Sequence, residues 1–177
     1  MTTNISGVRY VSPYAVPQAH LLKVARQIFS DTFSQLYEED AFRDFCDRTW
    51  AEDGPMAKDL ADASVSWRIA TVDDVPIGYA KLTPLRAPAQ DARAGALELQ
   101  QIYVLSQWQG KGVAEALMGW AMASARAQDA PELYLTVFDH NERAKRFYAR
   151  HGFEEVGRCT FKLGDRLDDD RIWRKVL

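Results

Sequence analysis

The segment Gln109-Gly110-Lys111-Gly112-Val113-Ala114 sets two glycines around a lysine, directly ahead of a stretch whose apolar residues recur at helical spacing. Small residues let backbone N–H groups approach an anion closely, and a helix start adds the positive end of its dipole, so the chemistry on offer is phosphate binding. The same GxG also suits a tight turn that needs glycine only for its backbone angles, and alone it does not separate the two. It is not a Walker loop, which requires GxxxxGK followed by Ser or Thr. Nor is it the GxGxxG dinucleotide motif, because Glu115 stands where the third glycine would be. A second block, Asn141-Glu142-Arg143-Ala144-Lys145-Arg146-Phe147-Tyr148-Ala149-Arg150-His151-Gly152-Phe153, brings Asn141, Ala144 and Tyr148 to one helix face. Capping by Asn141, packing of Phe147 and Tyr148 and a stop at Gly152 are ordinary helix punctuation; an amide and a phenol on one face can also hold a ligand.

The elements that must position these blocks are legible from periodicity. Val8 to Val11 reads as a short strand, and Pro17 opens a helix with Leu21, Val24, Ala25, Ile28 and Phe29 on one stripe. Glu39 to about Trp50 reads as a second helix through Phe42, Phe45 and Cys46, with a shorter helical turn over Met56 to Ala63. Trp67 to Val72 and Pro76 to Leu82 flank Asp73-Asp74 and predict a hairpin. Ala96 to Val104 predicts a strand, Gly112 to Ala127 a long helix, Leu133 to Phe138 a strand and Asn141 to Arg150 a helix. Phe153 to Leu163 with Arg171 to Val176 predicts a final strand pair. The order implies one α/β (α+β) domain over residues 1–177, with a mixed, mainly antiparallel twisted sheet of about six or seven strands flanked by about four helices.

The composition bounds the function. The chain has 177 residues, 47% apolar, 27% charged and 11% aromatic, the balance of one globular domain with a sizeable core. A net charge of −3 with interspersed signs shows no footprint for nucleic acid or an anionic membrane, leaving small ligands as the expected partners. Met1 to Tyr10 carries no secretory leader and no window approaches the roughly 18 apolar residues of a membrane span, so a cytoplasmic location is expected. Cys46 and Cys159 lack CxxC spacing and read as reduced thiols. His20, His140 and His151 lack metal-ligand spacing, so no metal is expected.

The two blocks, in this order, resemble the GNAT superfamily of acetyl-coenzyme A-dependent N-acetyltransferases. Gln109, Gly112 and Ala114 match its Gln/Arg-x-x-Gly-x-Gly/Ala loop, and Asn141 to Phe153 matches N-x-x-A-x-x-F-Y-x-x-x-G-F. The resemblance implies acetyl-coenzyme A as cosubstrate, with its pyrophosphate on the backbone amides of Gln109, Gly110, Lys111, Gly112, Val113 and Ala114. It also implies cofactor contacts from Ile102, Tyr103 and Val104 at the end of the preceding strand, Asn141 on the pantetheine arm and Tyr148 as the acid for the departing thiolate. Gly78-Tyr79-Ala80-Lys81-Leu82, Glu98-Leu99 and Phe161-Lys162-Leu163-Gly164-Asp165 with Asp169-Asp170 look like bacterial spermidine/spermine N-acetyltransferases of the Pai type. The chain departs at Gln101, where many relatives place a basic residue, and at Gln109, where Arg is commoner.

Such a site needs a base, because an alkyl ammonium with a pKa near 10.4 is deprotonated in only roughly one molecule in a few thousand at neutral pH. Glu98 is the candidate: alternation sets it on the face of Gln100, Ile102 and Val104, on the strand the resemblance places beside the acetyl group. Its other reading is a solvated strand carboxylate. The resemblance assigns the oxyanion donor to a backbone N–H of this strand, here Val104. A covalent route through Cys159 lacks a neighbouring His to activate it. For a polyamine acceptor, carboxylates could come from Glu38, Glu39, Asp40 and Asp44 or from Asp168-Asp169-Asp170. Alternatives are a peptide, protein or antibiotic amine, or a noncatalytic acetyl-coenzyme A sensor; Tyr148 and Glu98 together favour catalysis. The final strand's edge could also join two chains as a homodimer.

Overall fold

A computed structural model describes residues 7–177; the first six residues of the Met1 to Tyr10 stretch lie outside them. The elements run β1 (Val8–Val11), α1 (Gln18–Phe33), α2 (Glu39–Thr49), α3 (Pro55–Ala61), β2 (Ser66–Val72), β3 (Val75–Pro84) and β4 (Leu97–Val104). They continue with α4 (Val113–Ala127), β5 (Glu132–Phe138), α5 (Glu142–Arg150), β6 (Glu154–Leu163) and β7 (Arg166–Val176). The short turn at Met56 is a helix of its own, so five α-helices flank the sheet among the described residues. β7 begins at Arg166 rather than Arg171. The tight connection after Leu163 puts Arg166 opposite it, and the charged run Asp168-Asp169-Asp170 continues the ladder instead of a loop.

The seven strands lie in the order β1-β2-β3-β4-β5-β7-β6, all neighbours antiparallel except β4 and β5, so the final strand is paired on both sides and the open edges are β1 and β6, which corrects the expectation of a free edge on the final strand. That parallel pair is registered at only two positions, Leu97 with Leu133 and Glu98 with Tyr134, after which the strands diverge. A bulge sits at the same place. Lys81 of β3 faces Gln101 while the next residue, Leu82, faces Leu99, so Gln100 is an extra residue in β4.

The bulge resets which side chains share a face. Cross-strand partners point the same way, and positions two apart on one strand do too. Glu98 opposes Thr83, two residues from Lys81, which opposes Gln101. Glu98 therefore lies with Gln101 and Tyr103, which corrects the expected grouping with Ile102 and Val104, while the bulged Gln100 stays near it through a shared contact with Arg86. The same register carries that face across the sheet through Tyr134, Phe138, Asp170 and Asp168. This first face is covered by α1 and α2, where Phe33 meets Phe138 edge-on at 6.4 Å and Phe45 meets Phe161 at 5.8 Å. The second face holds α4, whose Val113, Leu117, Met118, Ala121 and Ala125 are fully buried, each large side chain contributing about 1.5–3 kcal/mol. It also holds α5, tied through Asp139 at the end of β5 to Arg171 and Lys145.

Gly78 keeps the end of β4 in place. A Cβ there would stand 2.6 Å from the Tyr103 carbonyl oxygen and 3.1 Å from the Val104 Cα, both backbone atoms. Gly78→Ala is expected to destabilise the fold by roughly 1–3 kcal/mol, seen as an earlier thermal unfolding midpoint.

Candidate active site

Where β4 and β5 part, a cavity of about 860 Å³ opens, within the range of sites that hold drug-sized ligands. Leu99 to Val104 form one lip and Thr136 to Phe138 the other, with Gly110, Ala114, Asn141, Ala144 and Tyr148 at one end and Phe33, Tyr37, Phe45, Phe161 and Asp170 at the other.

The loop ahead of α4 offers a row of unpaired donors. The N–H groups of Gly110, Lys111, Gly112, Val113, Ala114 and Glu115 reach no acceptor among the described residues, and Gly112 at the N-cap supplies no side-chain bond. Gly110 (φ 71°) and Gly112 (φ 80°) are both in the left-handed region that lets the chain turn its amides outward, and a Cβ at Gly110 would meet open space. Successive free amides at a helix start form an anion cradle. Lys111 lays its ammonium 5.0 Å from the Trp108 ring centre, and the Val113 side chain is wholly in the core, so Val113 offers only its N–H. Gln109 acts as a clamp: its Nε2 donates to the Val104 carbonyl at 3.0 Å while its Oε1 accepts from Arg143 of α5.

The Val104 amide can be oriented from the ladder. Leu105 donates to Ile77 O at 2.9 Å, so the neighbouring pair Val104 and Gly78 is the non-bonded kind, with the backbone groups of Val104 turned away from β3 and toward the fork. The Gln109 contact to Val104 O agrees with this. Asn141 caps α5, its Oδ1 accepting from Ala144 N at 3.2 Å, which leaves both amide protons free toward the cavity. Tyr148 lines the same end; its hydroxyl has no bonded partner among the described residues, and burial, helped by the neighbouring Tyr103 phenol, holds it protonated well above the ordinary phenol range. Ile102 and Tyr103 complete the wall.

Glu98 lies in the cavity wall, 4% exposed, yet its Oε2 accepts from the backbone N–H groups of Arg86 and Ala87 at 2.8 and 2.7 Å. It anchors the loop that follows β3. The α2 carboxylates do not reach the cavity: Glu38 caps α2 through Asp40 N and Ala41 N, and Asp40 pairs with Arg43 at 2.5 Å. Helix-start carboxylates turn toward the unpaired amides of their own helix, which is why they fail as an acceptor wall. Strand alternation selects from the other acidic run. Asp169 turns to the second face and pairs with Arg171 at 3.1 Å, while Asp168 and Asp170 turn into the cavity. Asp168 is committed to Tyr37 and to Arg166 Nε at 2.6 Å; the Asp170 carboxylate has no partner among the described residues. Burial, with the charges of Asp168 and Asp169, lifts Asp170 to about 6.

Cys46 and Cys159 are free thiols, and burial with the charge of Asp170 pushes Cys159 up to about 11, away from a nucleophilic thiolate. Among the described residues no group of three His, Cys, Asp or Glu side chains is arranged to hold a metal ion, and no helix is long and apolar enough to cross a membrane.

Comparison with known proteins shows the family and the fold. The profile described as the Acetyltransferase (GNAT) family matches residues 22–153. An N-acetyltransferase of Lactobacillus delbrueckii subsp. lactis is 28% identical over 98% of this chain and 99% of its own length. One from Mycobacterium bovis is 35% identical over 69% of this chain and 74% of its own. The crystal structure of PaiA N-acetyltransferase from Thermoplasma acidophilum, in complex with coenzyme A, superposes with a TM-score of 0.77 at 18% identity, covering 96% of this chain and 99% of that one.

Proposed function

The chain belongs to the GNAT family of acetyltransferases, and from that premise we propose that it moves an acetyl group from acetyl-coenzyme A directly to a primary amine, a polyamine or a comparably small cation. One observation carries the reading: a run of six free amides spans the loop and first turn of α4, and its members Gly110, Ala114 and Glu115 line the same cavity as the unpartnered Tyr148 phenol, at the place where the sheet divides. The amides of residues 110 to 115 fit the pyrophosphate, and the free amide protons of Asn141 fit a carbonyl of the pantetheine arm. The outward N–H of Val104 fits the oxygen that gains charge as the carbonyl is attacked. Tyr148, kept protonated by burial, donates to the sulfur as it leaves.

The acceptor end supports a cationic substrate. Phe33, Phe45, Phe138 and Phe161 present aromatic surface, and Asp168 and Asp170 present negative charge on the same face. Ammonium groups are attracted both to ring faces and to carboxylates. The test is thiol release from acetyl-coenzyme A across polyamines, amino acids, aminoglycosides and peptides. Turnover with polyamines is expected. Turnover confined to another amine would overturn the acceptor class, and binding of acetyl-coenzyme A without turnover on any amine would leave a sensor.

A further inference from the structure

Resting on the acetyl-transfer reading, we propose that Asp170 of β7 is the catalytic base that takes the proton from the incoming ammonium, the role expected of Glu98 from strand alternation. Three features of the cavity converge on it. Its carboxylate lines the acceptor end without a hydrogen-bond or ion-pair partner among the described residues, whereas Glu98 and Asp168 already serve protein donors. It stands opposite Phe138, the last residue of β5, on the lip of the fork. And it lies on the face covered by α1 and α2, while Tyr148 comes from α5 on the other face. The group that receives the ammonium proton and the group that protonates the departing sulfur thus come from different faces of the sheet and meet at the fork, where both can reach substituents of one tetrahedral carbon.

The surroundings hold Asp170 ready for that task. The titratable groups near it are Asp168 and Asp169 on its own strand, Cys159 opposite on β6, Tyr103 on β4 and Tyr37 between α1 and α2. The cations flanking it on β7 are spent elsewhere, Arg166 on Asp168 and Arg171 on Asp139 and Asp169, and of those lining the cavity Lys81 and Arg86 pair with Asp59 while Arg146 and Arg150 come from α5. A carboxylate lifted to about 6 is still ionised near neutral pH and is a stronger base than an ordinary aspartate.

The protons and bonds balance. The ammonium nitrogen passes one proton to Asp170, and its lone pair forms the C–N bond to the acetyl carbon. The C–S bond breaks with its electrons on sulfur. Sulfur takes the Tyr148 proton while the phenolate takes the second proton from nitrogen, and the proton on Asp170 leaves to solvent. The products are an amide, a thiol and one released proton.

The experiment compares kcat/KM of the full chain with Asp170→Asn on the best alkyl amine, from about pH 6 to 10, with acetyl-coenzyme A affinity measured by calorimetry. Without the base, only amine that arrives neutral reacts. The variant should therefore fall short by about a hundred- to a thousand-fold near neutral pH, and the deficit should shrink roughly tenfold per pH unit toward the amine pKa. Asp170→Glu should restore part of the rate. A deficit that does not change with pH, or a rate within about threefold of wild type near neutral pH with affinity intact, overturns the assignment. A readout independent of turnover is a carbon-13 NMR titration of the side-chain carboxyls: a resonance with its midpoint near 6, missing in Asp170→Asn, is expected. Its absence also overturns the assignment. Wild-type protein that releases no thiol with any amine would instead remove the underlying reading, a distinguishable result.

Discussion

Tyr148→Phe should lower kcat by about ten- to ten-thousand-fold while leaving acetyl-coenzyme A affinity within a few-fold of wild type. The substitution deletes one oxygen and keeps the ring. That ring packs edge-on against Phe147 at 5.6 Å and Phe153 at 6.1 Å, so α5 keeps its seat on the sheet. Because the hydroxyl has no protein partner among the described residues, its removal strands no buried donor or acceptor, and the thermal midpoint should not fall. The loss belongs to the leaving step, where a thiolate with a conjugate pKa near 8.5 departs more readily beside a donor. Steady-state thiol release and calorimetry on the same preparation separate the two quantities. An unchanged kcat would remove the phenol from the mechanism.

Gly112→Asp should weaken acetyl-coenzyme A binding by at least about a hundred-fold, a loss of roughly 2.7 kcal/mol or more. Gly112 occupies φ 80° at the N-cap of α4, where a side chain strains the backbone and projects beside the free amides. The added carboxylate also places a negative charge where a diphosphate must sit. Gly112→Ala carries the conformational strain without the charge, so its smaller effect isolates the electrostatic part. Calorimetric titration gives both numbers, and wild-type affinity in the Asp variant would displace the phosphate from this loop.

The parts of the protein governed by local pattern were legible in its residues. The helical stripe from Leu21 to Phe29, the Asp73-Asp74 hairpin and the small-residue loop before α4 each express a short-range rule, and each stands within a residue or two of its expected place. What escaped depends on register. A single extra residue at Gln100 moves Glu98 to the other face of β4, and no alternation count can see a bulge that exists only against the partner strand. The charged run at Asp168 hid the first turn of β7, because strand propensity disfavours Asp and only pairing with β6 makes the segment extend. Which member of that run faces the cavity, and that Asp170 alone of the two inward carboxylates lacks a partner there, follows from Tyr37 and Arg166 reaching Asp168 across more than a hundred residues in one case and two in the other. The acidic start of α2 misled for the converse reason: Glu38 had a use within its own helix.

The division of the sheet has a thermodynamic side. Two residue pairs are all that stitch the four strands β1 to β4 to the three strands β5, β7 and β6 within the ladder, so the sheet has fewest backbone pairings at this seam. Anything lying along both lips acts as a suture, adding a stabilisation of RT ln(1 + [L]/Kd) that belongs to neither half by itself. The expected outcome is a thermal midpoint that rises with the concentration of acetyl-coenzyme A, read by calorimetry.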